Sequence, residues 1–120
     1  MTARAATGKA GEDYAAKKLE ERGYTVLARN YHSRYGEIDI IAENGAYLVF
    51  VEVKARKAGS LAAPLEAVTP QKQRRIILTA QAYLAACPTG KQPRFDVAAL
   101  TLEKGRVVGW EYIENAFLTE

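Results

Sequence analysis

The 120-residue chain has one cysteine, four prolines and one tryptophan, and no long apolar run. Cys87 has no second cysteine to pair with and no companions at zinc-ligand spacing, so a disulfide framework and a structural zinc are both excluded. That usage suits a reducing compartment and leads us to expect a cytoplasmic protein. Residues Met1 to Asp13 lack the apolar core of a secretory signal. No stretch approaches the eighteen or so apolar residues of a membrane span, so no membrane partner is expected. With 48% apolar and 26% charged residues, the composition is that of one globular domain over residues 1–120.

The charge is unevenly spread. Between Lys54 and Arg94, eight basic residues (Lys54, Arg56, Lys57, Lys72, Arg74, Arg75, Lys91 and Arg94) face one acid, Glu66, for a net +7. From Phe95 onward the balance is −3. A basic middle joined to an acidic end suggests a face for a polyanion, although a solvated helix and loop rich in Lys and Arg would look the same.

Residues 1–7 are expected to be a flexible N-terminus, followed by a helix from Lys9 to Arg22 that stops at Gly23. Its inward stripe of Ala15, Ala16 and Leu19 is complete only if Glu12 is counted as the first member. A strand is expected over Tyr24–Ala28, a polar connection over Arg29–Gly36, and a second strand over Glu37–Glu43. Asn44-Gly45 reads as a hairpin turn. The third strand, Tyr47–Lys54, is apolar on both faces and so central. Residues 55–63 read as a flexible basic loop. Thr69 then caps a helix with Pro70 at its first position and a core stripe of Ile76, Ile77, Ala80, Tyr83 and Leu84. Strands over Arg94–Leu102 and Val107–Ile113 complete an α-β-β-β-α-β-β order. The expected class is α/β, with a mixed central sheet flanked by helices.

Three charges are out of place in that pattern. Asp39, Glu52 and Lys54 sit inside runs that otherwise read as buried strand, and burying an unpaired charge costs several kcal/mol. Glu52 and Lys54, two apart, share a face. A two-residue Asn44-Gly45 turn places Asp39 opposite Phe50, beside the Glu52 position. Two carboxylates so close repel unless a proton or a cation lies between them. Mg²⁺ binds through a few oxygen ligands and keeps several waters, the nucleophile that phosphodiester hydrolysis requires. Lys54 can orient that water or offset charge on the phosphate. Each residue taken alone has a plainer reading: Lys54 as a solvated strand end, Glu12 as a first-turn acid, Lys72 as a surface lysine. Their joint placement is what points to a site.

The motifs Gly8-x-x-Gly11-Glu12, Gly23-Tyr24, Arg29-Asn30-Tyr31, Gly36-Glu37-Ile38-Asp39, Phe50-Val51-Glu52-Val53-Lys54-x-Arg56 and Arg94-Phe95-Asp96-Val97 resemble the YraN-like family of small bacterial proteins. The resemblance runs from about Gly8 to Phe117. That family is similar to the PD-(D/E)XK nuclease superfamily, most closely its Holliday-junction-resolvase branch. The resemblance implies a restriction-endonuclease-like α-β-β-β-α-β core and a Mg²⁺- or Mn²⁺-dependent endonuclease acting on DNA, including branched or otherwise structured DNA. It implies Asp39 and Glu52 as metal ligands, Lys54 as catalytic lysine, and Glu12 and Lys72 as assisting residues. Arg56 and Arg94 are candidate phosphate contacts, with Lys57, Arg74 and Arg75 in the same basic segment. Asp96 is expected to pair with a neighbouring basic residue and brace the fold. One departure stands out: Ile38 occupies the place of the superfamily's proline, a position that shapes backbone and carries no chemistry. Resolvase-like relatives act as dimers, so a homodimer is an allowed state. Two further readings compete with the enzyme: a nucleic-acid-binding module without turnover, and a structural domain whose buried acids pair with Lys54 and Arg56.

Overall fold

The alternation and capping signals resolve, in a computed structural model describing residues 3–117, into two helices and five strands. They are α1 (Ala3–Glu21), β1 (Thr25–Ser33), β2 (Gly36–Glu43), β3 (Tyr47–Lys57), α2 (Pro70–Ala86), β4 (Gln92–Glu103) and β5 (Arg106–Ile113), with a 3-10 turn at Pro64–Ala67. The sheet order is β1-β2-β3-β4-β5. Only β3 and β4 run parallel, joined by the α2 crossover; the other pairs are antiparallel.

The helices lie on opposite faces. Beneath α2, Ile41, Leu48, Phe50 and Phe95 meet Ile76, Ala80 and Tyr83. Beneath α1, Ile40, Val49, Val51 and Ala98 meet Ala15, Ala16 and Leu19. β3 is therefore covered on both sides, as its two apolar faces required. Each large aliphatic side chain so buried contributes roughly 1.5–3 kcal/mol.

The caps follow the sequence. Gly23 is left-handed (φ 90) just past α1. Its amide donates to Glu20 O at 3.1 Å and the Tyr24 amide to Leu19 O at 3.0 Å, a Schellman closure. The Thr69 hydroxyl accepts from the Lys72 amide at 3.2 Å, with Pro70 opening α2.

Four expectations are corrected. Helix α1 begins at Ala3, not Lys9, so residues 3–7 of the expected flexible N-terminus are helical; Met1 and Thr2 lie outside the described residues. The expected connection Arg29–Gly36 is mostly strand, because β1 lies at the sheet edge and needs apolar residues on one face only. The basic loop loses Ala55–Lys57 to β3, where they pair with Leu100, Thr101 and Leu102 of β4. The hairpin tip is Gly45-Ala46. The Asn44 carboxamide accepts from the Ala46 amide at 3.0 Å and the Tyr47 amide at 2.7 Å, so Asn44 closes the strand pair instead of forming the turn. Ile41 consequently faces Phe50.

Candidate metal centre and nucleic-acid interface

That last shift matters most for the site. The paired register ends with Ile40 opposite Val51, and beyond it the Asp39 side chain itself reaches across to β3 next to Glu52. Asp39 is buried, and its Oδ2 accepts from the Val53 amide at 2.7 Å. Glu52 and Lys54 follow on β3, both half-buried. Glu52, Lys54, Lys72 and Arg75 line one cleft of about 310 Å³, with Gly36 and Glu37 at its β2 edge.

The electrostatics are those of a crowded pair. Asp39 is pushed up to about 8, first by burial and then by its hydrogen bond to Glu52 and the Glu52 charge; the Val53 amide and Lys54 pull the other way. Two facing carboxyl groups thus retain a proton in the absence of another cation. Lys54 is shifted down, first by burial and then by its contact with Lys72, while Glu52 and Asp39 oppose the shift. The ammonium groups of Lys54 and Lys72 are therefore neighbours, one from β3 and one from the first turn of α2.

Glu12 stands apart from this cleft. It is half-buried on α1, over the opposite sheet face, with Arg29 Nη2 at 3.7 Å from its Oε1. Its carboxyl is still raised, by burial and then by the charge of Asp39, which puts it within electrostatic reach of the pair. Among the described residues no three His, Cys, Asp or Glu side chains form a group that could hold a metal ion. Asp39 and Glu52, with a strand carbonyl and solvent, are the donors that can, and such a set fits the oxygen preference of Mg²⁺.

The basic residues divide. Lys57, Arg74 and Arg75 are exposed, and Arg75 borders the cleft. Arg56 is half-buried, with Nη1 donating to the Ala62 carbonyl and other donors left over. Arg94 is a correction. Its side chain is buried at the start of β4, where it grips Asp96 through Nε at 3.0 Å and Nη2 at 2.9 Å and donates to the Tyr24 hydroxyl at 2.6 Å. It pairs in register with Val49, whereas Lys54 pairs with Ala99. Five strand residues, roughly 16 Å, separate it from the cleft. Asp96 does brace the fold: it also accepts from the Tyr112 hydroxyl at 2.5 Å and the Asn115 amide at 2.9 Å.

One cleft residue escaped the sequence reading. Glu37 lies two residues before Asp39 and lines the cleft, with His32 Nδ1 at 3.2 Å from its carboxylate.

A mixed sheet between two helices, with an acid pair and a lysine where β2 meets β3, defines an α/β domain of resolvase-like fold. The fold is similar to that of Hjc, a Holliday junction resolvase from the archaeal hyperthermophile Archaeoglobus fulgidus, with a TM-score of 0.55 and 21% identity over 86% of this chain and 72% of that one. The chain belongs to the uncharacterised protein family UPF0102, matched over residues 11–100. A UPF0102 protein of Dictyoglomus turgidum is 46% identical over 112 residues, covering 92% of this chain and 95% of its own. One from Chlorobium phaeobacteroides is 48% identical over 118 residues, covering 93% and 94%. The resemblance to the YraN-like family is thereby borne out, and the expected likeness to a resolvase holds at the level of the fold.

Proposed function

We propose that this protein is a Mg²⁺- or Mn²⁺-dependent endonuclease that hydrolyses phosphodiesters of branched or otherwise structured DNA. One observation carries the reading: the Val53 amide holds the buried Asp39 carboxyl on β3 next to Glu52, where burial and the nearby Glu52 carboxyl push it up to about 8. A protein gains nothing in stability from two crowded carboxyls, and a divalent cation is the partner that relieves them. The residues that would hold it are Asp39 and Glu52, with Glu12 in its field. When bound, such an ion supplies Lewis-acid polarisation of a phosphate oxygen and an activated water.

The remaining work falls to the chain's own residues. The Val53 amide fixes the Asp39 carboxylate in place. Lys54, beside Glu52 at the cleft, offsets negative charge growing on the phosphate. Lys72 holds a second positive charge against Lys54 and favours release of a proton there. Arg56, Lys57, Arg74 and Arg75 bind the DNA backbone by charge. A pair of such sites in a homodimer would suit a two-fold symmetric branch point.

A specific observation favours a second reading, a nucleic-acid-binding module without turnover: Glu12 is engaged by Arg29 and does not complete a three-carboxylate group. One experiment separates the two. Purified protein is incubated with branched, flapped and single-stranded DNA in Mg²⁺ or Mn²⁺, beside Glu52→Gln. Cleavage by the wild type that is lost in the variant supports the nuclease. Salt-sensitive binding without cleavage supports the module, and cleavage unchanged in the variant means that the assigned site is wrong.

A further inference from the structure

The segment between β3 and the 3-10 turn contributes no residue to the Glu52 cleft. The chain leaves β3 at Lys57 and turns at Gly59, which is left-handed (φ 88). Both limbs are fastened. The Ala58 amide donates to Leu102 O at 2.9 Å and the Ser60 amide to Lys57 O at 3.2 Å. On the other limb, the Arg56 guanidinium donates to the Ala62 carbonyl. Between these ties stands Leu61, fully exposed.

Under the loop lies a cavity of about 320 Å³. Ala55, Ala62, Ala67 and Ala99 form much of its wall, and Ser60 and Glu66 bring polar groups to it. Lys54 lines this cavity and the Glu52 cleft alike, so the two spaces adjoin at that residue. Leu61 takes no part in the lining.

These features together specify an occupant. The volume is at the small end of ligand pockets, about 300–1,000 Å³, and admits a single ring system, not a duplex. Small apolar walls suit the faces of a flat heterocycle, and the polar groups suit its edge. A phosphate would be drawn to Lys54 and Arg56, which both line the cavity. A ring whose attached phosphate rests at Lys54 is a nucleotide. An exposed leucine at a loop tip is the type of side chain that fills a vacated base step.

We propose that the cavity beneath residues 58–63 receives one unpaired nucleobase adjoining the phosphate at Lys54, and that Leu61 packs against the stack which that base has left. The inference rests on the nucleic-acid reading above and narrows its substrate class to DNA with an unpaired nucleotide beside the scissile phosphate. Such a base is the least costly to extrude, because it has no partner to lose.

The test uses a DNA hairpin with 2-aminopurine as a single bulged base. Fluorescence reports unstacking and anisotropy reports binding, both measured in Ca²⁺. On wild-type protein the fluorescence should rise by about threefold or more, as a base leaves its stack. Ala62→Phe, which fills the cavity, should abolish the rise while binding persists. Leu61→Ala should reduce it and Leu61→Phe should keep it. Leu61 is exposed and touches no core, so Leu61→Ala decides the matter if Ala62→Phe does not fold. Binding without a rise, or a rise undiminished in both Ala62→Phe and Leu61→Ala, overturns this proposal and leaves the nuclease reading standing. A rise that depends on these residues, without cleavage in Mg²⁺ or Mn²⁺, supports the pocket and removes the nuclease reading. Failure to bind any DNA overturns both.

Discussion

The Asp39 carboxylate on β2 accepts a 2.7 Å hydrogen bond from the Val53 amide on β3, between Glu52 and Lys54 in the chain. This one bond locks an acid onto the strand that bears the other two charges. It also means that Asp39 can be changed to its amide without losing its acceptor. Asp39→Asn should therefore fold, and should lower cleavage by about 100-fold or more through loss of charge at the site. Cleavage assays beside a urea-denaturation curve check both halves.

The same variant has a signature in pH. In the wild type the folded carboxyl titrates near 8 against an ordinary 3.8, so between those values the folded chain holds the extra proton. Stability is then fullest below about 4, falls as pH rises toward 8, and levels off above it. Measured in a chelating buffer, this slope should be shallower in Asp39→Asn. A slope identical in the two proteins would show that Asp39 does not carry the shift.

Lys54 and Lys72 press on one another across the cleft. Removing one charge should relieve the other, so Lys72→Ala should move the titration of the Lys54 amine to higher pH in lysine-resolved NMR. Lys54→Ala should abolish cleavage, while Lys72→Ala should shift its pH profile. An unmoved Lys54 would separate the two side chains.

Asp96 is fully buried and holds Arg94, Tyr112 and the Asn115 amide at once. Asp96→Ala leaves the buried Arg94 guanidinium only the Tyr24 hydroxyl and the more distant Glu114 carboxylate at 3.5 Å, and should cost about 3–5 kcal/mol. Urea or thermal unfolding reads this directly, and a loss below about 1 kcal/mol would show the network to be slack.

Gly11 is buried in α1, and a Cβ placed there would stand 2.9 Å from Leu100 Cδ1. Leu100 can give a little, so alanine is a mild change. Gly11→Val adds a branched side chain to the same gap and should destabilise by about 1–3 kcal/mol. Because the glycine precedes Glu12, the substitution should also move that carboxylate, to be read as a change in pH profile.

What could be read from the chain alone was local or periodic. Alternation put Glu52 with Lys54, and Thr69-Pro70 and Gly23 marked helix ends that the structure keeps. The hairpin pointed to the right neighbours with the wrong register, because nothing in a one-dimensional reading showed that the Asn44 side chain would take two backbone amides. Arg94 looked like the other basic residues of its segment. Only the parallel pairing of β3 with β4 places it at the far end of the sheet, against Asp96. Glu12 was found by its position on an apolar stripe, but that stripe could not say which face α1 would cover.

If Asp39 and Glu52 together form a cation site, a divalent ion must bind there and must need both. A Mn²⁺ titration followed by electron paramagnetic resonance, on wild type and Asp39→Asn side by side, tests it most directly. The wild type should bind Mn²⁺ saturably, and the variant at least about tenfold more weakly. Equal binding by the two proteins, or none by either, would contradict it.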